Sequence, residues 1–199
     1  MTMNRYFTFL LAFLLSSAAF AQNGYRIGSK VENFTLKNAQ NQSVELNSFK
    51  DAPVLVVVFT SVNCPYAKLY DGRIQSLSKA YAGKGVRFVY VNTNIGLEEG
   101  GEAAQAQPDL PTSNSFPYLI DEGQQLSKKF GATKAPEVFV LQNAQDGFYL
   151  RYKGAIDDNP QAEAYVKDRY LATALDAVLA GKSVSSAERR ATGCLIKRF

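Results

Sequence analysis

The sequence predicts a mixed-sheet α/β domain, a central sheet with helices on both faces. Three observations carry this. Val54 to Thr60 is a short Val-rich run, apolar on both faces, as a buried strand requires. Tyr66, Tyr70, Ile74, Leu77 and Tyr81 follow at helical spacing on one side. A second apolar run, Val86 to Val91, comes after Gly83 and Gly85. Strand, helix and strand with so short a return form a parallel pair in a right-handed unit.

The remaining elements follow in chain order. Phe34–Leu36 and Val44–Leu46, separated by polar Lys37–Gln42, read as an N-terminal hairpin. Asn47 suits the cap of a short turn through Phe49. Residues 96–115 are polar, with Gly100-Gly101 and two prolines, and read as a surface insertion. Phe116–Ile120 reads as a short element, and Glu122–Phe130 as a helix ended by Gly131. After Ala135-Pro136 comes a strand, Glu137–Leu141, then a turn region, Gln142–Gly147, then a return strand, Phe148–Lys153. Asn159 and Pro160 are suited to open a last long helix, Gln161–Ala180, with Gly181 closing it. Lys182–Phe199 reads as an irregular tail.

The first 21 residues read as a leader rather than as part of the fold. Arg5 supplies a positive start, Phe7–Leu15 an apolar stretch, and Ala19-Phe20-Ala21 a small-residue cleavage site before Gln22. The apolar stretch is shorter than the roughly 20 residues of a membrane span. No Cys stands near the cleavage point, which speaks against a lipid anchor. The expected product is residues 22–199 as one exported domain, periplasmic or extracellular, with no stable membrane insertion after cleavage.

Composition narrows the chemistry. The chain has no His and two Cys, Cys64 and Cys194. Without His there is no Ser-His triad, no His general base and no His-based metal site. No metal and no cofactor are expected. The formal charge of +4 owes much to Arg189, Arg190, Lys197 and Arg198, a solvated tail rather than a nucleic-acid surface. Any chemistry falls to thiols, carboxylates, Lys, Arg, Tyr and backbone.

Cys64 stands where a strand gives way to a helix, immediately before Pro65. That is an N-cap position, where unpaired backbone N–H groups and the helix dipole favour a thiolate. Pro65 fits the first helical position, which needs no N–H. Two readings stand beside each other: a reactive thiol, or a small buried core residue.

With this element order, a Cys at the first strand–helix turn and Ala135-Pro136 before a hairpin, the chain resembles the thioredoxin fold. Within it, the chain resembles redoxin-type proteins of the alkyl hydroperoxide reductase/thiol-specific antioxidant superfamily, in particular a peroxiredoxin-like branch with Cys-Pro-Tyr. The matching elements are Cys64-Pro65-Tyr66, Gly154–Asn159 and Gly193-Cys194-Leu195-Ile196-Lys197. The resemblance implies a thiol-based oxidoreductase whose substrates are protein thiols and disulfides or a peroxide, with an electron donor the sequence does not name. It also makes Pro136 the match to a cis-proline that faces the active Cys. Three departures stand out. Ala67 occupies the place of the second Cys of Cys-x-x-Cys, Thr60 lies four rather than three residues before Cys64, and Asn63 stands where relatives carry His.

The supporting candidates each admit a structural role as well. Lys68, one turn on, either points back to the thiol or lies on a solvated face. The turn holding Asp157, Asp158 and Asn159 should return to the Cys64 end, where a carboxylate can move a proton; these residues equally suit helix capping. The predicted last helix carries the chain about 30 Å away, and the residues from Lys182 to Cys194 span up to about 40 Å when extended. Cys194 therefore resolves an intermediate on Cys64, staples the fold through a disulfide, or never meets Cys64. Closing so long a loop contributes about 4–5 kcal/mol in the chain-entropy account. The rival to an enzyme is a non-catalytic binding module with a structural Cys64–Cys194 bond.

Overall fold

The computed structural model describes residues 24–93 and 116–196. Alternating side chains of one central strand organise the interior. That strand, β3 (Val54–Thr60), is buried along its whole length. Val54, Val56 and Val58 face one layer, and Leu55, Val57 and Phe59 the other. With period-2 alternation and apolar residues at both parities, a strand has to be covered on both sides.

The N-terminal hairpin forms as expected, β1 (Thr35–Asn38) pairing antiparallel with β2 (Ser43–Glu45). The helix α1 (Pro65–Ala82) follows β3 and leads into β4 (Val86–Asn92), which pairs parallel with β3. Next come β5 (Tyr118–Ile120), α2 (Gln125–Phe130), β6 (Lys134–Ala135), β7 (Glu137–Ala144), β8 (Gly147–Gly154) and α3 (Tyr170–Leu179). The main sheet has the order β2-β1-β5-β4-β3-β7-β8 and is completed by β9 (Glu188–Arg189). On one face α1 and α3 bury Tyr70, Ile74, Leu171, Leu175 and Val178 against β3, β4 and β7. On the other, Phe130 of α2 meets Phe59 and Phe139 at ring-centroid distances of 5.3 and 5.2 Å. The expected mixed sheet with helices on both faces is thus the observed one.

Four local expectations need correction. The last helix does not span Gln161–Ala180; it begins at Tyr170. Asn159 Oδ1 accepts the backbone N–H groups of Gln161 and Ala162, but the turn goes no further. Asp158 Oδ1 instead accepts the N–H groups of Lys167 and Asp168, closing a loop ahead of the helix. The helix expected over Glu122–Phe130 is broken by left-handed Gly123 and Gln124; Asp121 caps the N–H groups of Leu126 and Ser127, so α2 starts at Gln125. The strand before the hairpin turn extends through Ala144, leaving a shorter turn. The tail is not irregular throughout: β9 pairs parallel with β8, and β10 (Cys194–Leu195) pairs antiparallel with β6. The leader, the whole 96–115 insertion and Lys197 lie outside the described residues.

Candidate functional site

Three elements converge on Cys64. The first is the β3–α1 junction. Cys64 is the N-cap of α1 in extended conformation, and Pro65 is the first helical residue. The Lys68 N–H already donates to the Cys64 carbonyl. Because Pro65 has no N–H, Tyr66 and Ala67 supply the free donors of this helix end. They point along the dipole toward the Cys64 side, where a negative sulfur is favoured.

The second element is the segment ending at Pro136. The Ala135-Pro136 peptide is cis. The Ala135 carbonyl oxygen lies 3.0 Å from Cys64 Sγ, in position to accept from a reduced thiol. Glu137 fixes this segment from behind. Its Oε2 accepts the N–H of Thr133 at 2.7 Å and of Lys134 at 3.0 Å. Glu137 is itself buried. A carboxylate taken out of water is tolerated where it is hydrogen-bonded in this way.

The third element is the tail. Cys64 and Cys194 form a disulfide, with Cα atoms 5.9 Å apart and 130 positions between them. Of the open readings for Cys194, the tail that never meets Cys64 is excluded. The helix before the tail is shorter than expected, so the chain has less distance to recover. β10 places Cys194 opposite Ala135 and Leu195 opposite Lys134, and the Ile196 N–H donates to the Thr133 carbonyl at 2.9 Å. Gly193 is required by proximity: a Cβ there would lie 2.3 Å from the Ala135 carbonyl oxygen. Cys64 is fully buried, whereas Cys194 is partly exposed.

The other candidates are spread around this centre. Asn63, Pro65 and Lys68 are exposed beside it. The hairpin returns Asp157 to α1, but to Tyr70 and Arg73 rather than to the N-terminus. Asp157 accepts from the Tyr70 hydroxyl at 2.9 Å and from Arg73 Nη1 at 2.8 Å. Tyr70 and Arg73 stand six and nine residues beyond Cys64, about 9 and 14 Å along the helix. Burial, then the Asp157 carboxylate, push the Tyr70 hydroxyl well above its usual pKa. Asp158 is exposed and serves the capping role described above.

Sequence reasoning missed Arg73 and Glu137, and placed Gly193 in a matching motif without a task. Arg73 had a signal: it is a charge three residues from Tyr70, on the side of the helix that carries the apolar stripe. Its guanidinium is buried with Asp157, at 7% and 5% side-chain exposure, and covers the Tyr70 ring at 4.6 Å. Glu137 and Gly193 adjoin the singled-out residues Pro136 and Cys194, but only the three-dimensional approach gives them work.

Comparison with known proteins agrees with this architecture. The family described as Redoxin matches residues 26–166. A hypothetical protein from Sinorhizobium meliloti 1021 is 31% identical, with a TM-score of 0.73 over 88% of this chain and 96% of its own. An uncharacterized conserved protein from Geobacillus kaustophilus is 28% identical, with a TM-score of 0.73 over 88% and 93%. An exposed lipoprotein thioredoxin from Streptococcus pneumoniae shares the fold at 16% identity, with a TM-score of 0.54 over 73% and 99%. No protein among those with curated functions matches the chain.

Proposed function

The chain belongs to the Redoxin family, and from that premise we propose that it is an exported thiol–disulfide oxidoreductase of the Cys-Pro-Tyr branch, with Cys64 as nucleophile and Cys194 as resolving thiol. The observation that carries the proposal is a disulfide one of whose sulfurs sits at a helix N-terminus. In the reduced chain, the N–H groups of Tyr66 and Ala67 favour the Cys64 thiolate, while burial and the Ala135 carbonyl favour the thiol. The thiolate attacks one sulfur of a substrate disulfide, forming a mixed disulfide and expelling the other sulfur as a thiolate. Cys194 then attacks Cys64 Sγ, restores the internal bond and releases the reduced substrate. Pro65, Pro136 and Ala135 shape the approach, Asn63 and Lys68 flank it, and Asp157 positions α1 through Tyr70 and Arg73. Export rests on the character of residues 1–21; among the described residues no helix is long and apolar enough to cross a membrane.

The test is stepwise. Reduced wild-type protein should reduce a small disulfide and end with Cys64–Cys194 closed. Cys194→Ser should stop at a mixed disulfide on Cys64, and Cys64→Ser should not turn over. Cys64 alkylation, followed against pH, should rise with a midpoint below the ordinary thiol value of about 8.5. A reduced, folded protein whose Cys64 stays unreactive would refute the enzyme and leave the binding module with a static staple. Consumption of peroxide by the wild type above the Cys64→Ser background would move the substrate from disulfide to peroxide.

A further inference from the structure

The two sulfurs of the bond are unequally placed, and the segment that covers the inner one is lightly held. Cys64 has no exposed surface, whereas Cys194 is partly exposed and is flanked by exposed Thr192 and by Leu195 at 57% exposure. An incoming thiolate has to reach the sulfur it attacks along the line of the S–S bond. Departure favours the sulfur better stabilised as an anion, and the helix N-terminus supplies that stabilisation to Cys64, against its burial and the Ala135 carbonyl.

The tail runs between two fixed points. Upstream, β9 is pinned to the sheet edge, where the Lys153 N–H donates to the Ala187 carbonyl and the Ala155 N–H to the Arg189 carbonyl. At the far end Ile196 is buried in the core. Between them the tail pairs with the β6 edge, where Glu137 takes the N–H groups of Thr133 and Lys134. The same carboxylate therefore fixes the register, since it leaves the Thr133 carbonyl and the Ala135 peptide groups to the tail.

We propose that the two sulfurs divide the half-reactions: a reductant attacks Cys194 Sγ, and residues 190–195 then leave the Lys134–Ala135 edge as a released strap between β9 and Ile196, opening Cys64 to the substrate disulfide. This rests on the pair being redox-active, as proposed above, and adds the order of access. The donor is a dithiol. Its first thiolate bonds to Cys194 Sγ as the S–S bond breaks, and the electron pair of that bond leaves on Cys64 as a thiolate. Its second thiol, after losing its proton, attacks the donor sulfur of the mixed disulfide. That step expels the Cys194 thiolate and leaves the donor oxidised by two electrons.

The experiment uses the oxidised wild-type chain, limiting glutathione as a monothiol probe and rapid maleimide quenching, with the adducts mapped by mass spectrometry. The expected product carries glutathione on Cys194 and maleimide on Cys64, at least tenfold over the reverse. Glutathione on Cys64 to an equal or greater extent overturns the assignment while leaving the oxidoreductase reading standing. In parallel, amide exchange of residues 190–195 should accelerate at least tenfold on full reduction while α1 keeps its protection. Unchanged protection of the tail overturns the strap. A bond that resists even excess dithiothreitol in the folded protein overturns both this inference and the redox reading beneath it.

Discussion

Replacing Gly193 by Ala should make the Cys64–Cys194 bond easier to reduce. The added Cβ would lie 2.3 Å from the Ala135 carbonyl oxygen, 2.7 Å from its carbon and 3.1 Å from Pro136 N. All three are backbone atoms, so no side chain can swing aside. Restoring ordinary contact, near 3.5 Å, requires the tail to retreat by about 1 Å. The Cα atoms of the two cysteines are 5.9 Å apart, and bridging becomes poor beyond about 6.8 Å. Overpacking of this kind costs about 1–3 kcal/mol. With the tail released on reduction, as proposed above, the cost falls on the oxidised state. At 30 mV per 1.4 kcal/mol, the potential should rise by about 20–65 mV. Equilibration in glutathione redox buffers, alkylation and mass counting reads this directly, with exposed Thr192→Ala as the control. A Gly193→Ala midpoint equal to that of the wild type, with the bond still formed, would refute the close approach.

Two further outcomes follow from the buried polar groups. Arg73→Met should cost about 3–5 kcal/mol in urea denaturation, because it leaves the buried Asp157 carboxylate without its cation; a loss below about 1 kcal/mol would show that water reaches the pair. Burial, then the Asp176 carboxylate, raise the Tyr81 hydroxyl to about 12. The folded state therefore holds a proton that the unfolded chain loses near pH 10, so this contribution is complete below about pH 10 and is lost as pH rises toward about 12. Tyrosinate absorbance should show a late-titrating group that Tyr81→Phe removes, and its absence would contradict the packing of Tyr81 against α3.

The layered architecture was legible because it depends on periodicity. The Val-rich run of β3 and the stripe from Tyr70 to Tyr81 each state which neighbours they need. The Cys64-Pro65 junction was legible for the same reason, since capping chemistry is local. What escaped were competitions between local signals. Asn159-Pro160 is a sound helix opening, but Asp158 captures the N–H groups of Lys167 and Asp168 and delays the helix to Tyr170. Asp121 does the same to the helix expected from Glu122. The tail looked irregular because strands of two residues carry no period. Their partners, Gly154 for Arg189 and Ala135 for Cys194, are distant in sequence.

Those distant pairings limit how far a change at the disulfide can travel. Two of the restraints on α1 bear on the disulfide, one at its N-cap through Cys64 and one farther along through Arg73 and Tyr70 on Asp157. β9 meets β8 at Gly154, three residues before that carboxylate, and a Cβ at Gly154 would strike the Arg189 carbonyl. Breaking the disulfide removes the first restraint and leaves the second in place. The buried ion pair keeps the helix end in register, and β9 keeps the tail from loosening upstream of Arg190. On the released-strap proposal, the few residues between β9 and Ile196 gain freedom. In the proposed cycle the sulfur that returns to Cys64 is thus tethered within a short reach, so reclosure should be intramolecular and fast relative to capture by a second partner.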